Sequence, residues 1–288
     1  MSPKIGLAYT MLTLENAAIN SALAGAGAEV VMINDERELF MLHSLSEKQM
    51  DVGSLLCRSS SFSRSLCSSY LFEQHGIHAI NSYASQQICG DKVLCSAKLS
   101  KAKIPTPKVA LAFSAKSALE AVESMGYPCV IKPPIGSWGR MVCKIPDREC
   151  AEAVVSLKST LGHFTDKIYY VQEYVDKPGR DIRVLLVGNE IALSICRNAS
   201  APGAFLTNLN AGGTASEFSL SPEMTETVHK VGDLLGSGIY GIDLIEDKQG
   251  GFFVLEVNHS PEFSKSSGAN IHNVAQKIAA FAISCAKN

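Results

Sequence analysis

Short apolar runs alternate with amphipathic stretches between residues 4 and 80. The apolar runs predict four strands: Lys4–Tyr9, Glu29–Ile33, Gly53–Cys57 and His78–Ile80. Two stretches between them, about Leu14–Ala26 and Ser63–Gln74, have the spacing of helices, and Gly76 ends the second. Strands that alternate with helices predict a parallel α/β unit.

An arginine stands at the carboxyl end of the third predicted strand, where parallel α/β units bind their ligands. Arg58 is followed there by three serines. Its guanidinium has the geometry to hold a substrate carboxylate through two parallel hydrogen bonds. A solvated loop arginine fits the same spacing, so both interpretations stay open.

The stretch 81–101 has a mostly helical pattern with a break at Gly90 and Asp91. Asp91 is suited to cap a second helix that begins at Lys92. The Pro-Thr-Pro segment at 105–107 then predicts a linker.

A second unit of mixed strands and helices follows the linker. Its predicted elements are strands at Lys108–Ala112, Pro128–Lys132, Met141–Ile145 and Ile168–Tyr174, and helices from Ser114 to Met125 and at Asp147–Leu157. The Gly-rich stretch Pro133–Arg140 joins two of these strands, and such a loop can fold over phosphates with its backbone N–H groups. It is not a Walker A loop, because no Gly-Lys-Ser/Thr follows. A plain β-turn also fits these glycines.

A third unit begins with two partly alternating runs, Asp181–Val187 and Glu190–Arg197. Gly188-Asn189 between them supplies the positive φ values of a two-residue hairpin turn. The long polar segment 198–213 predicts a lid or binding loop. Amphipathic helices are predicted at Pro222–Leu235 and Asn270–Ala286.

Two further apolar runs, Ile239–Ile245 and Phe252–Val257, flank a polar turn and predict a β-hairpin. A turn centred between Gln249 and Gly250 places Asp243 opposite Glu256. Asn258 is two residues further and lies on the same face. Oxygen ligands of this kind suit Mg²⁺. An ordinary hairpin with solvated polar residues is the alternative.

Composition narrows the class of protein. The chain has 288 residues, 46% of them hydrophobic, and a net charge of −2, which is typical of a globular protein and gives no sign of a nucleic-acid partner. No apolar run approaches the roughly 18 residues of a membrane span, and no signal-peptide pattern begins the chain, so we expect a cytoplasmic protein without a membrane partner. The nine cysteines include no Cys-x-x-Cys and favour neither disulfides nor zinc.

Several motifs share an order along the chain. They are Cys89-Gly-Asp-Lys92, Lys132-Pro-Pro-Ile-Gly-Ser-Trp-Gly-Arg140, Gln172-Glu-Tyr-Val175, Lys177-Pro-Gly-Arg-Asp-Ile-Arg183, Thr207-Asn208 with Gly212-Gly213, and Glu256-Val-Asn-His-Ser-Pro-Glu-Phe263. Together they resemble the ATP-grasp carboxylate–amine ligases, specifically the RimK-like branch and its LysX group. The resemblance covers nearly the whole chain.

The resemblance implies an α/β and α+β protein with the ATP-grasp fold. An N-terminal parallel α/β domain would span 1–90, a central domain with the Gly-rich lid 91–174, and a C-terminal domain with the metal site 175–288. The implied cofactors are ATP and Mg²⁺. The implied partners are an amino acid, a small acidic LysW-like carrier protein and further copies of the chain in a homo-oligomer.

The resemblance also implies a role for individual positions. Phosphate, lid, adenine and ribose contacts would come from Lys92, Lys132, Gly136, Ser137, Trp138, Gly139, Glu173, Val175 and Asp181. Mg²⁺ would be held by Asp243, Glu256 and Asn258. Arg183 and Arg197 would serve catalysis by facing phosphate or carboxylate groups. Substrate contacts would come from Arg58, Asn208, His259, Ser260 and Glu262.

LysX enzymes join an amino acid to the C-terminal glutamate of LysW in lysine or arginine biosynthesis, so we expect an ATP-dependent ligase that forms an amide. The alternatives are a glutamate ligase acting on another protein tail or a cofactor, and a non-catalytic nucleotide-binding regulator. Two positions depart from the family pattern: Ala211 replaces the usual arginine before Gly-Gly, and Ser264-Lys265-Ser266 replaces Lys-Asn. His259-Ser260 is nearer the form found with aminoadipate than with glutamate, although His259 also fits a purely structural role.

Overall fold

The computed structural model describes residues 2–136, 139–163, 167–199, 214–264 and 270–286. The strands in these residues are β1 Lys4–Tyr9, β2 Glu29–Asn34, β3 Ser54–Arg58, β4 His78–Ile80, β5 Val109–Ala112, β6 Cys129–Lys132, β7 Cys143–Ile145, β8 Tyr169–Glu173, β9 Arg180–Val187, β10 Glu190–Asn198, β11 Thr214–Glu217, β12 Ile239–Glu246 and β13 Phe252–Asn258. The helices are α1 Leu14–Gly25, α2 Glu47–Met50, α3 Phe62–Gln74, α4 Tyr83–Gly90, α5 Lys92–Lys101, α6 Ala115–Met125, α7 Arg148–Leu161, α8 Pro222–Leu235 and α9 Ile271–Ala286.

The first sheet has the order β2-β1-β3-β4, and all of its strands are parallel. This confirms the predicted parallel α/β unit. Its two faces are apolar because both are covered by helices. Side chains of α1 and α9 bury one face, and Phe72 of α3 packs within the core on the other. The last helix of the chain is therefore part of the N-terminal core.

The second sheet, β5-β8-β6-β7, is antiparallel, and two helices pack on one of its faces. Helices α6 and α7 bury that face against Cys129, Ile131 and Val171. Side chains alternate along a strand, so Lys132 and Gln172 belong to the opposite face. Both side chains are buried there, and Ser96 of α5 contacts Tyr170 on the same face.

The third sheet, β11-β10-β9-β12-β13, is also antiparallel. Helix α8 covers one face, against residues such as Ile182, Ile242 and Val257. The other face is divided along its length. Leu185 and Val187 join the N-terminal core at one end of β9, whereas Asp181 and Arg183 occupy the other end.

Two short elements were not predicted. Strand β11 has four exposed residues and, among the described residues, pairs with the edge of β10. Its sequence, Thr-Ala-Ser-Glu, has no apolar alternation that would predict a strand. Helix α2 is a single turn fixed by a capping box between Ser46 and Gln49. The predicted strand Met141–Ile145 begins later, at Cys143, because Met141 lies in a turn with φ 57°. No helix in the described part of the chain is long and apolar enough to cross a membrane.

Candidate functional site

Six polar residues form a row across one face of the third sheet. Registered pairs join Arg197 to Asp181, Arg183 to Asp243, and Asp243 to Glu256. Paired residues of antiparallel strands share a face, as do residues two apart in one strand. Asn258 therefore lies beside Glu256, and the sheet itself gathers arginines, carboxylates and an amide.

A β-bulge decides which way Glu256 points. The hairpin turn is centred on Gln249, since Glu246 pairs with Phe252 and Leu244 with Val254. Continued without interruption, that register would turn Glu256 toward α8. Leu255 is an extra residue between the two registers, and it brings Glu256 opposite Asp243. The predicted pairing is confirmed, although the predicted turn centre was half a residue away and the bulge was not foreseen.

Asp243 is a buried carboxylate held by two arginines. Its Oδ2 accepts a hydrogen bond of 2.8 Å from Arg183 Nη2, Oδ1 accepts another from Arg183 Nε, and Arg197 Nη2 lies 3.1 Å from Oδ1. Burial alone would raise the pKa of Asp243, but Arg183 and Arg197 outweigh it and lower the pKa to about 2. The carboxylate is therefore ionised at neutral pH.

The donor set of this row fits a hard cation such as Mg²⁺. Asn258 Nδ2 lies 3.5 Å from the Gly241 carbonyl oxygen, so the amide nitrogen faces Gly241 and the amide oxygen faces away from it. Two carboxylates and one amide oxygen are ligands that Mg²⁺ accepts, with water and phosphate completing its shell. Among the described residues, no group of three or more His, Cys, Asp or Glu is placed to hold a metal. The fit thus depends on Asn258 as the third donor.

Lysines face this row from the second sheet and from the segment that connects β8 with β9. Lys132 at the end of β6 is 7% exposed, and its Nζ donates to Gln172 Oε1 at 2.8 Å. Burial lowers the pKa of Lys132 to about 8, against the raising effect of Glu256. Burial also lowers the pKa of Lys177, whose Nζ is 4.0 Å from Asp181 Oδ2. These ammonium groups create positive potential beside the carboxylates.

Lys92, at the start of α5, is bonded to the base of the Gly-rich loop. Its Nζ donates to the Gly136 carbonyl at 2.6 Å, and its backbone N–H donates to the Pro134 carbonyl at 2.9 Å. Gly139 has φ 70°, which favours glycine at that position. Ser137 and Trp138 lie outside the described residues. Lys92 therefore meets the described part of the loop, as the predicted phosphate site requires.

The predicted adenine and ribose positions lie where the second sheet passes into the third. Glu173 ends β8, where its side chain accepts from Lys108 N at 2.7 Å, and Val175 follows in the connecting segment. Asp181 is 4% exposed and accepts from Arg197 Nε at 2.6 Å. Asp181 thus belongs to the row of charges as well as to the predicted ribose contact.

The predicted substrate residues lie around the far end of the hairpin. Arg58 ends β3 and donates to the Pro261 carbonyl at 3.1 Å. His259 has its ring 5.5 Å from that of Phe62, and burial lowers its pKa to about 4, with Arg58 adding to the effect. Ser260 is half-buried and Glu262 exposed. Asn208, Ala211, Lys265 and Ser266 lie outside the described residues, together with the Thr207 and Gly212-Gly213 motif.

The RimK-like ATP-grasp domain model matches residues 89–282. This chain belongs to the RimK-like ATP-grasp family. The LysX preATP-grasp domain model matches residues 5–88, which contain the parallel sheet.

Curated relatives and solved structures agree with this ATP-grasp assignment. The chain is 38% identical over 223 residues to the glutamate–LysW ligase ArgX of Sulfurisphaera tokodaii, covering 77% of this chain and 79% of the relative. It is 31% identical over 275 residues to the α-aminoadipate–LysW ligase LysX of the same organism, covering 95% and 96%. A RimK domain ATP-grasp protein from Sphaerobacter thermophilus has a TM-score of 0.80 at 23% identity, covering 96% and 98%. The predicted family and fold are confirmed.

Sequence reasoning missed two residues that shape this ATP-grasp site. Gln172 was named only within a motif, yet it holds Lys132. Gly241 stands between Arg183 and Pro261, and a Cβ there would lie 2.7 Å from Pro261 Cβ and 3.5 Å from Arg183 Nη1. A glycine inside an apolar strand is the signal that could have indicated this close approach.

Proposed function

We propose that this protein is an ATP- and Mg²⁺-dependent ligase that joins the amino group of α-aminoadipate or glutamate to the γ-carboxyl of the C-terminal glutamate of a LysW-like carrier protein, in lysine or arginine biosynthesis. The observation that carries the proposal is the row Asp243–Glu256–Asn258 facing Lys132. This arrangement places oxygen ligands for a metal ion beside an ammonium group that can bind phosphate. The two relatives described above are both named LysW ligases.

The chemistry explains why this set of groups is needed. A carboxylate is a poor acyl donor, so its oxygen first takes the γ-phosphoryl of ATP, and ADP is released. The amine lone pair then attacks the acyl carbon, the bond to the phosphate oxygen breaks, and phosphate leaves as the amine loses a proton. Phosphoryl transfer depends mainly on positioning and on charge neutralisation. Mg²⁺, when bound, neutralises phosphate charge and orients the phosphate oxygens.

Each side chain has a proposed part in this reaction. Lys92 and Lys132 bind the phosphates beneath the loop that contains Gly136, Ser137, Trp138 and Gly139. Glu173 and Val175 line the adenine site, and Asp181 the ribose site. Arg183 and Arg197 keep Asp243 ionised and face the charged groups of the substrates. An acyl phosphate hydrolyses in water, so a loop closing over the phosphates protects it.

The choice of amino acid stays open between two candidates. The ArgX relative is named for glutamate at 38% identity, and a LysX relative from Saccharolobus solfataricus is named for α-aminoadipate at 36%. Such close values favour neither. His259-Ser260 favours α-aminoadipate, as proposed from the sequence, and Asn208 and Glu262 remain proposed substrate contacts.

The proposal is tested by measuring ADP release from purified protein with different combinations of amino acid and acceptor. We expect release only when ATP, one of the two amino acids and a LysW-like protein ending in glutamate are all present. Truncating that terminal glutamate is the control and should stop release. Release with a different acceptor would favour the glutamate ligase of other specificity, and binding of ATP without release in every pairing would favour a regulator.

Nucleotide affinity is expected to fall as the pH rises above about 8. The pKa of Lys132 is lowered to about 8, so deprotonation above that value removes a positive charge that faces the phosphates. Lys177, whose pKa is also lowered, adds to the effect. Titration calorimetry between about pH 7 and about pH 10 should show a decline of up to about tenfold per pH unit. Lys132→Met should bind more weakly but with a shallower slope, and parallel slopes for the two proteins would contradict the assignment.

A further inference from the structure

Three side chains of the N-terminal unit bind backbone groups of one short segment, residues 259–264. Asn81 Nδ2 donates to the His259 carbonyl at 2.8 Å. Arg58 Nη1 donates to the Pro261 carbonyl at 3.1 Å. A carboxylate oxygen of Glu15 accepts from the Ser264 N–H at 3.0 Å. These residues come from three places, the end of β3, the loop after β4 and the first turn of α1, yet they converge on the stretch that directly follows Asn258.

Asn81 is the most constrained of the three. It is 1% exposed, and its Nδ2 also donates to the Ile239 carbonyl at 2.7 Å, so one amide links the start of β12 with the end of β13. Gln86 Nε2 donates to the Asn81 carbonyl at 2.6 Å. A Cβ on Gly238 would lie 2.4 Å from Asn81 Oδ1, so that glycine permits the approach.

Arg58 and Glu15 are similarly occupied by protein groups. Arg58 is 8% exposed, and its Nε donates to Asn16 Oδ1 at 3.3 Å, while its guanidinium lies 6.0 Å from the centre of the Phe263 ring. Burial tends to raise the pKa of Glu15, but hydrogen bonds from Ser264, from its own backbone N–H and from Thr13 together outweigh it, so the carboxylate is ionised. Burial lowers the pKa of Arg58, against the raising effect of the nearby carboxylates of Glu15 and Glu262.

We propose that Glu15, Arg58 and Asn81 are positioning residues that fix the backbone of residues 259–264 and thereby set the amino-acid-binding end of the site. This gives Arg58 a different part from the direct substrate contact suggested by its sequence position. The inference rests on the proposed function, because it assigns segment 259–264 to the amino acid.

The metal site and segment 259–264 are held by different parts of the chain. Asp243 of the metal site is bound within the third sheet by Arg183 and Arg197, whereas segment 259–264 is bound by side chains of the N-terminal unit. Loosening the three contacts should therefore affect the amino acid and leave the nucleotide alone. A displacement of about 1 Å in a reacting group can cost roughly 10²-fold in rate.

Matched variants test the proposal by comparing Glu15→Ala with Glu15→Gln, which keeps an acceptor oxygen for Ser264. We expect Glu15→Ala and Arg58→Lys to raise the KM for the amino acid by roughly tenfold to a hundredfold, with nucleotide affinity within about twofold of wild type. Glu15→Gln should have a KM for the amino acid much closer to that of wild type than Glu15→Ala has. Thr10→Val is the control, because the Thr10 hydroxyl bonds Asp35 and Ser60 at the same sheet edge, and neither residue belongs to the segment.

Hydrogen exchange supplies a readout that needs no ligase activity. The amides of residues 259–264 should exchange about tenfold faster in Glu15→Ala and Arg58→Lys, with β9 unchanged. Asn81→Asp should act in the same direction, and if it fails to fold the other two variants still decide. Unchanged exchange and KM in folded variants, or a matching loss of nucleotide affinity, would overturn the proposal. Wild-type protein without ligase activity would refute the proposed function, while hydrogen exchange would still report on the contacts of Glu15, Arg58 and Asn81 with residues 259–264.

Discussion

Glu256→Gln is expected to slow ATP turnover severely while the protein stays folded. The substitution keeps the shape of the side chain but removes one of the two carboxylates proposed to hold Mg²⁺. Since phosphoryl transfer relies on charge placed in advance, the rate should fall by roughly 10²–10³-fold or more. Steady-state ADP release at saturating Mg²⁺, with circular dichroism to confirm the fold, measures the effect.

Glu246→Gln is the matched control for this experiment. Glu246 lies on the same hairpin, at its turn end, and pairs with Arg180 at 2.8 Å outside the row. It should retain turnover close to that of wild type. Normal ATP-dependent ligation by folded Glu256→Gln protein would show that this carboxylate does not hold the metal.

Asp243→Ala is expected to cost both activity and stability. The variant leaves the half-buried guanidinium of Arg183 without its carboxylate partner and removes one of two partners from Arg197, whose Nε still contacts Asp181. Breaking a buried pair from one side costs about 3–5 kcal/mol of unfolding free energy. Urea denaturation near neutral pH measures this loss.

The pH dependence identifies the cause of that loss. The pKa of Asp243 is lowered from 3.8 to about 2, so its stabilising contribution is present above pH 3.8 and disappears as the pH falls toward 2. The difference between wild type and Asp243→Ala should shrink across that window. Glu190→Ala, which removes a more exposed partner of Lys277, should cost at most about 1 kcal/mol. Equal losses from the two variants would contradict the buried network.

The part of this site that is formed by residues close together in the sequence was predicted well. Asp243, Glu256 and Asn258 were placed together because a hairpin relates neighbouring residues by simple alternation. Lys132 was recognised by its position at a strand end. The bulge at Leu255 was not predictable, because an extra residue leaves no mark in an apolar run. The parallel sheet followed from alternating strands and helices, whereas four-residue β11 depends on the neighbouring edge of β10.

Contacts between distant parts of the chain lay beyond sequence reasoning. Arg58 has the spacing of a substrate residue, and only the fold shows it bound to Pro261, 203 positions away. Asn81 gave no signal, since a buried asparagine is indistinguishable from a turn residue until its partners are known. The domain boundaries, the individual site roles and the homo-oligomer remain predictions.

The most direct test of the proposed function is the mass of the carrier protein after incubation with this enzyme, ATP, Mg²⁺ and α-aminoadipate or glutamate. We expect the carrier to gain the mass of one amino-acid residue, located by fragmentation at the γ-carboxyl of the terminal glutamate and dependent on ATP. An unchanged carrier mass with both amino acids, from folded enzyme that binds ATP, would contradict it.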